Sequence, residues 1–413
     1  MTDRVDIYKC DGIDSIKKHI FLGLQQYEAI LPKNKNALIL LKPNLNSNMN
    51  ALTGNTTDLR ILVSVIEFLK IRGYNKIVIG EGTSSGFYRL KINIFSRLYI
   101  DKIAEKYGLD IVDLNYAPYT EIEFENGTKA KIAKICLECD FMISLPKLKT
   151  HFETMISCCL KNLIGTLVGV HEKQKAHQSL YRNILNLNKK IKPNLHIVDA
   201  LIPMEGTGPS AGIPINVGAI LFGTNPYLID LLCTKITGID YKDVPTLRIA
   251  EEKGIINNEY HKYVDSINLN DLKKSFKRPK VNFMVLLIND QRWQYKIVKF
   301  RLSKPIDYLC STKIVSKILN STGLRQDVFV EEETVCKKLY VDYDICDYCG
   351  KCKKYCPSSL DLPSKVGDVG DSGCFKCLYC YLVCPVEAIK FEGKLGFLSG
   401  QLKQYNKLTR EIT

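Results

Sequence analysis

The chain has no long apolar run, one tryptophan, six methionines and six histidines in 413 residues. No stretch approaches the ~18 consecutive apolar residues needed to cross a bilayer, and the longest candidates, ALILL and FMVLLI, are strand-sized. The opening MTDRVDIYKC is charged from its third residue and lacks the apolar core of a secretory signal. A reducing, cytoplasmic setting is therefore expected. A phosphate loop ending in Gly-Lys-Ser/Thr is also missing. Glycine-rich EGTGPSAG (205–212) is followed by a strand-like run rather than a helix, which argues against a dinucleotide turn.

Cysteine is abundant. Of sixteen, eight fall in two runs, CDYCGKCKKYCP (Cys346 to Pro357) and CFKCLYCYLVCP (Cys374 to Pro385), each reading C-x2-C-x2-C-x3-C-P. That spacing places three thiolates around one [4Fe–4S] cube and sends the fourth to the other cube. The expected ligand sets are Cys346, Cys349, Cys352 and Cys384 for one cluster, and Cys374, Cys377, Cys380 and Cys356 for the other. A zinc ribbon needs two cysteine pairs rather than two quartets, and a disulfide framework would not repeat one spacing. Elsewhere, Cys136-Leu-Glu-Cys139 lacks the partners of a metal site, and Cys158-Cys159 lies in an apolar stretch. Both read as core packing.

The formal charge is +14. Eight thiolates and two oxidised cubes add about −4, leaving the protein basic. Residues 273–317 carry twelve Lys or Arg against two acids, Asp290 and Asp307. This is a solvated basic face or a docking surface for an acidic redox partner or an anionic membrane. A nucleic-acid partner is not expected.

Short apolar runs alternate with amphipathic helical stretches from Val5 to about Ile236, which predicts an α/β fold with a mainly parallel sheet and helices on both faces. The cysteine runs predict a small α+β ferredoxin-like domain after it. The expected division is 1–255 for the α/β domain, 256–335 for a basic connecting region that could complete it, 336–392 for the cluster domain and 393–413 for a polar tail. The only repeat is the pair of cysteine runs.

Ligands of open parallel sheets bind beyond the carboxyl ends of the strands. Those ends carry Lys42 and Asn44, the Glu81 loop, PKLKTH with Lys147, Lys149 and His151, then Asp199 and the loop containing Glu205. Two cations and an imidazole in five residues suit an anionic small molecule. Asp199 and Glu205 are candidate acid–base groups, with structural capping as the alternative.

KPN (42–44), LPKLKTH (145–151), LKNLIG (160–165), MEGTGP (204–209) and NPYLID (225–230) together resemble the domain of unknown function 362 family over about residues 35–240. The resemblance implies a C-terminal two-cluster ferredoxin module but supplies no shared activity. It draws attention to Lys161 and Asn162 as further binding residues. The favoured expectation is an iron–sulfur oxidoreductase, its catalytic candidates Lys147, Lys149, His151, Asp199 and Glu205. Lys42, Asn44, Glu81, Lys161 and Asn162 would bind a substrate or second cofactor. The alternatives are a non-catalytic electron carrier, whose large domain docks a partner enzyme, and a cluster-dependent sensor or scaffold.

Overall fold

A computed structural model describes residues 3–10, 15–84, 92–125, 127–279, 330–331, 334–364, 374 and 376–412. The strands up to residue 145 are β1 (Val5–Lys9), β2 (Ile39–Pro43), β3 (Ile77–Glu81), β4 (Asp110–Asp113), β5 (Tyr119–Glu123), β6 (Lys129–Ala133) and β7 (Phe141–Leu145). Then come β8 (Lys147–His151), β9 (Met155–Ser157), β10 (Leu195–Thr207), β11 (Ala211–Pro214) and β12 (Ala219–Gly223). The large sheet runs β1-β12-β10-β7-β2-β3-β4, with β8, β9 and β11 built on the extension of β10. From β10 to β4 neighbours are parallel, while β12 and β1 add antiparallel edges. β5 and β6 form a separate hairpin.

Every residue of β2, β3, β7 and β12 is buried. Such strands lack polar alternation because both faces are covered. Ile39 and Leu41 enter one core with the helices Ser15–Gln26 and Leu59–Ile71. Leu40 points into the other, with the helices Leu180–Lys190 and Pro226–Thr237. The chain leaves β2 toward β3 and β4, then returns to place β7 on the other side of β2. A crevice opens at such a reversal, outside the carboxyl ends of the two strands.

Between β3 and β4 lie two helices, Ile94–Arg97 and Ile100–Tyr107, broken at Tyr99 with φ of 62°. The residues after β7 continue as a second buried strand, β8. The polar C-terminal stretch forms a helix, Leu398–Ile412, burying Leu398, Leu402, Tyr405, Thr409 and Ile412 at helical spacing. Residues past 255 also pack onto the α/β body: the helix Asn258–Ser266 leads to Leu269, Leu272 and Phe276, all buried. The strand-like VNFMVLLI, Trp293 and most of the basic segment lie outside the described residues.

The cluster module consists of β13 (Val330–Glu331), β14 (Thr334–Val341) and β15 (Ile389–Lys394), with short helices Lys351–Tyr355 and Tyr379–Val383. It shares one apolar core with the α/β body. Tyr99 stacks on Tyr355 at 4.4 Å between ring centroids, and the Tyr379 hydroxyl donates to the Arg97 carbonyl at 2.7 Å. The helix Leu398–Ile412 then returns to the body, where Gln401 and Gln404 accept from the Arg60 guanidinium.

Replacing Tyr405 with Ala should therefore cost about 3–5 kcal/mol, as for other buried aromatic truncations. Urea denaturation followed by far-UV circular dichroism measures it. A cost within ~0.5 kcal/mol, typical of surface positions, would mean the helix is not anchored as described.

Candidate functional site

The two cysteine runs adopt the same backbone. Tyr348 and Lys376, each between the first and second cysteines of its run, have φ of 54° and 53°. Gly350 and Leu378, just after the second cysteines, have φ of 71° and 58°, and Ser359 and Glu387, beyond the fourth, have φ of 54° and 55°. These left-handed residues curl each run so that amides turn inward. The Lys376 amide donates to Cys374 Sγ at 3.3 Å and the Ala388 amide to Cys384 Sγ at 3.2 Å. Amide donation to sulfur is what a cube's thiolates require. Burial pushes the Cys352 thiol up to about 11, and nearby Cys349, Cys384 and Cys346 push the same way. Burial raises Cys380 as well, with Cys374, Cys377 and Cys356 adding to it. Cys384 thus lies near the thiols of the first run and Cys356 near those of the second, and bound iron would hold these sulfurs as thiolates. The residues fit two [4Fe–4S] clusters.

In the α/β body, β8 carries Lys147, Lys149 and His151 on alternate positions, so all three share one face of the strand. They meet different partners. Lys147 is fully buried and pairs with Asp199 at 2.9 Å. Asp199 also accepts from the amides of Asp58 and Leu201 at 2.8 and 3.1 Å. Asp58 in turn holds Arg60 at 2.6 Å. Burial works to raise the Asp58 carboxyl, but the Arg60 guanidinium outweighs it and keeps the group below the usual carboxylate range. This network ties the sheet to the C-terminal helix, and neither Lys147 nor Asp199 lines the cleft.

Lys42 is likewise buried, pairing with Glu81 at 3.0 Å and donating to Asn162 Oδ1 at 3.3 Å. Glu81 also accepts from the Leu45 and Gly82 amides at 3.0 and 2.8 Å. Gly165 closes over this pair: a Cβ there would lie 2.2 Å from Glu81 Oε1 and 2.9 Å from Lys42 Nζ. The glycine ending LKNLIG is therefore a steric requirement. Glu205 stands apart, accepting from the Lys277 amide at 2.8 Å and facing its ammonium at 3.3 Å.

A cleft of about 140 Å³ lies at the reversal, between Asn44, Asn46, Glu81, Lys149, His151, Lys161 and Asn162 on one side and Lys173, His177, Pro209 and Ser210 on the other. Residues 85–91, which follow Ser84 in its wall, lie outside the described residues. Six of the ten sequence candidates, Asn44, Glu81, Lys149, His151, Lys161 and Asn162, line this cleft; Lys42 sits behind it. Lys149 is anchored by Asn44 Oδ1, Asn46 Oδ1 and the Asn55 carbonyl at 2.8, 2.8 and 2.7 Å. Burial, reinforced by Lys161 and Lys147, lowers its pKa well below that of a free lysine. Burial, with Lys161 and Lys149 adding to it, lowers the His151 pKa well below that of a free imidazole. Its Nδ1 accepts from the Glu153 amide at 3.1 Å, which assigns the ring proton to Nε2.

Sequence reasoning missed Lys173 and His177. They are four residues apart on the helix Gly169–His177, a spacing that puts both on one helix face. Lys173 donates to the carbonyls of Gly82 and Thr83 and to Asn115 Oδ1 at 3.0, 2.7 and 2.6 Å. Burial lowers its pKa to about 7. Among the scattered cysteines, burial pushes the Cys136 thiol up to about 12, in keeping with a packing role. Cys158 lies 3.9 Å from Cys159 and 3.8 Å from Cys233, sulfur to sulfur. The nearby Asp230 is occupied by the Cys159 and Leu160 amides at 2.8 and 3.1 Å.

A mostly parallel α/β body joined to a module with two cysteine quartets defines an iron–sulfur protein of the electron-transfer class. In comparison with known proteins, residues 39–235 match the family model of a domain of unknown function (DUF362) and residues 338–385 match a 4Fe-4S dicluster domain. It is 26% identical over 232 residues to the thylakoid-associated protein sll1697 of Synechocystis sp., covering 52% of this chain and 68% of that protein. No helix among the described residues is long and apolar enough to cross a membrane. Among solved structures, the lactate racemase apoprotein of Thermoanaerobacterium thermosaccharolyticum aligns with TM-score 0.34 and 14% identity, over 56% of this chain and 57% of that one. A Thermotoga maritima protein aligns with TM-score 0.30 and 14% identity, over 57% and 59%. The chain thus spans little more than half the length of either structure.

Two outcomes follow from this geometry. Cys356→Ser should disrupt the cluster held by Cys374, Cys377 and Cys380 while sparing the other, read by electron paramagnetic resonance of the reduced protein. Loss confined to the cluster of its own run would contradict the crossing. Lys147→Ala should leave Asp199 buried without its counter-ion and cost about 3–5 kcal/mol in chemical denaturation. A variant with wild-type stability would show that the pair does not anchor the fold.

Proposed function

We propose that the protein is an oxidoreductase in which an anionic small molecule, bound in the cleft, exchanges electrons with the cluster module. The observation that carries this reading is Lys161. Its side chain is half-buried in the cleft wall and makes no hydrogen bond or ion pair with a described residue. Burial lowers its pKa and Glu153 works against that shift. Lys42, Lys147, Lys149 and Lys173 are all committed to protein acceptors. An uncommitted ammonium beside a neutral imidazole donor suits a carboxylate or phosphate better than it suits water alone.

The remaining groups support placement and proton supply. His151 Nε2–H and the anchored Lys149 would orient the anion, and Asn44 and Asn46 keep Lys149 from swinging out of position. Lys173 is poised to give or take a proton near neutral pH. The two [4Fe–4S] clusters, when bound, supply single-electron transfer. The segment from Asn44 to Asn55 reaches in both directions: Asn44 and Asn46 hold Lys149, while Asn48 donates to the Pro357 carbonyl at 3.2 Å, next to the ligand Cys356. Cleft and module are therefore mechanically joined by one short segment.

Lys161→Ala should leave both clusters intact and weaken binding of inorganic phosphate or small dicarboxylates about ten- to a hundredfold, the loss of one charged hydrogen bond of ~1.5–3 kcal/mol. Calorimetry on the anaerobic holoprotein measures it. Affinity in the wild type should also fall as pH rises past about 7, because Lys173 is cationic below that value and neutral above it. Lys173→Met should remove this step. Anion binding unaffected by Lys161→Ala would remove the cleft as the redox site and leave the carrier reading.

A further inference from the structure

We propose that the tip of the cluster module, from Asp342 to Cys349, is the docking face for a one-electron redox protein whose own cofactor edge is ringed by lysine and arginine. The proposal rests on the electron-transfer class of the module and not on what binds in the cleft. Of the eight ligand cysteines only Cys349 is exposed, whereas Cys356, Cys377, Cys380 and Cys384 are buried. The side toward the α/β body is already occupied, since Tyr355 meets Tyr99 and Tyr379 bonds to Arg97. An outside partner therefore reaches the ligands most directly at the first run.

Large apolar side chains surround that opening. Tyr343, Ile345, Tyr348 and Val386 are 51%, 42%, 66% and 38% exposed, four of the nine exposed large hydrophobics among the described residues. Aromatic residues surfacing together beside a redox ligand fit the apolar centre of a transient interface. Charge specifies the partner. Asp342, Asp344 and Asp347 lie in this stretch, the last two exposed, and no Lys or Arg occurs between Asp342 and Gly350. Of the lysines that follow, Lys353 pairs with Asp361 at 2.7 Å and Lys354 lies over the Tyr355 ring at 5.1 Å, leaving Lys351 as the one cation among the described residues acting on Asp347. The chain as a whole carries +14. A basic partner is thus repelled by most of the surface and drawn to this acidic spot, which steers it to Cys349. Each encounter transfers one electron, oxidising one protein and reducing the other by the same amount.

The test uses ferricytochrome c, a small basic haem protein, as the probe. Reduced anaerobic holoprotein loses one electron to each ferric haem, and the second-order rate is followed at the haem band. The rate should fall at least ~10-fold between low and ~0.3 M salt, as the Debye length shrinks below the span of the interface. Asp344→Lys should slow the low-salt rate by a similar factor, whereas Lys192→Glu on the body should change it less than ~2-fold. As a readout independent of turnover, zero-length carbodiimide coupling of the wild-type proteins should link cytochrome lysines to Asp344 or Asp347. A salt-indifferent rate, or cross-links confined to acids of the α/β body, would overturn the proposal.

Discussion

The carboxyl edge of the central sheet is crowded with charge that water does not reach, and the need to neutralise it governs the architecture. Lys42, Glu81, Lys147, Lys149, Asp199, Asp58 and Arg60 are all under one-tenth exposed. An isolated buried ion costs several kcal/mol, so each must find a partner or lose its charge. The pairs Lys42–Glu81, Lys147–Asp199 and Asp58–Arg60 meet this requirement. Lys149 meets it with three neutral oxygens and a depressed pKa. Lys42–Glu81 joins β2 to β3 and Lys147–Asp199 joins β8 to β10, while Asp58–Arg60 closes the first turn of the helix Leu59–Ile71. The cleft is the space left where this network stops.

Much of the fold was legible in the sequence because the physics is local. Unbroken apolar runs mark the buried strands, and the duplicated spacing marks the two cysteine runs. What was not legible depended on tertiary context. KLKTH carries its charged groups at alternate positions, but its place in the sheet depends on pairing with β10 and β9, which arrive from elsewhere in the chain. Lys147 and Lys149 are alike in sequence, yet one meets a carboxylate and the other three neutral acceptors. Lys173 was missed because its helix is polar and weakly patterned, so its reach into the cleft depends on Gly82, Thr83 and Asn115 arriving from elsewhere. The apolar stripe from Leu398 to Ile412 was present but diluted by lysine and glutamine.

Body and module are not independent units on a tether. One apolar core runs through both, the tyrosines Tyr99, Tyr355 and Tyr379 meet at the junction, and Asn48 reaches the module from the loop that positions Lys149. Movement of the cluster loops would therefore be felt at the cleft through packed side chains rather than through a flexible linker.

The helix Leu398–Ile412 lies beyond both cysteine runs in the chain yet packs on Arg60 and its helix in the body. During synthesis, the body's helix Leu59–Ile71 must therefore wait, with part of its apolar surface uncovered, until both runs have emerged. A nascent chain in that interval is open to aggregation. The same interval leaves the cysteine loops accessible to assembly factors before the final helix seats.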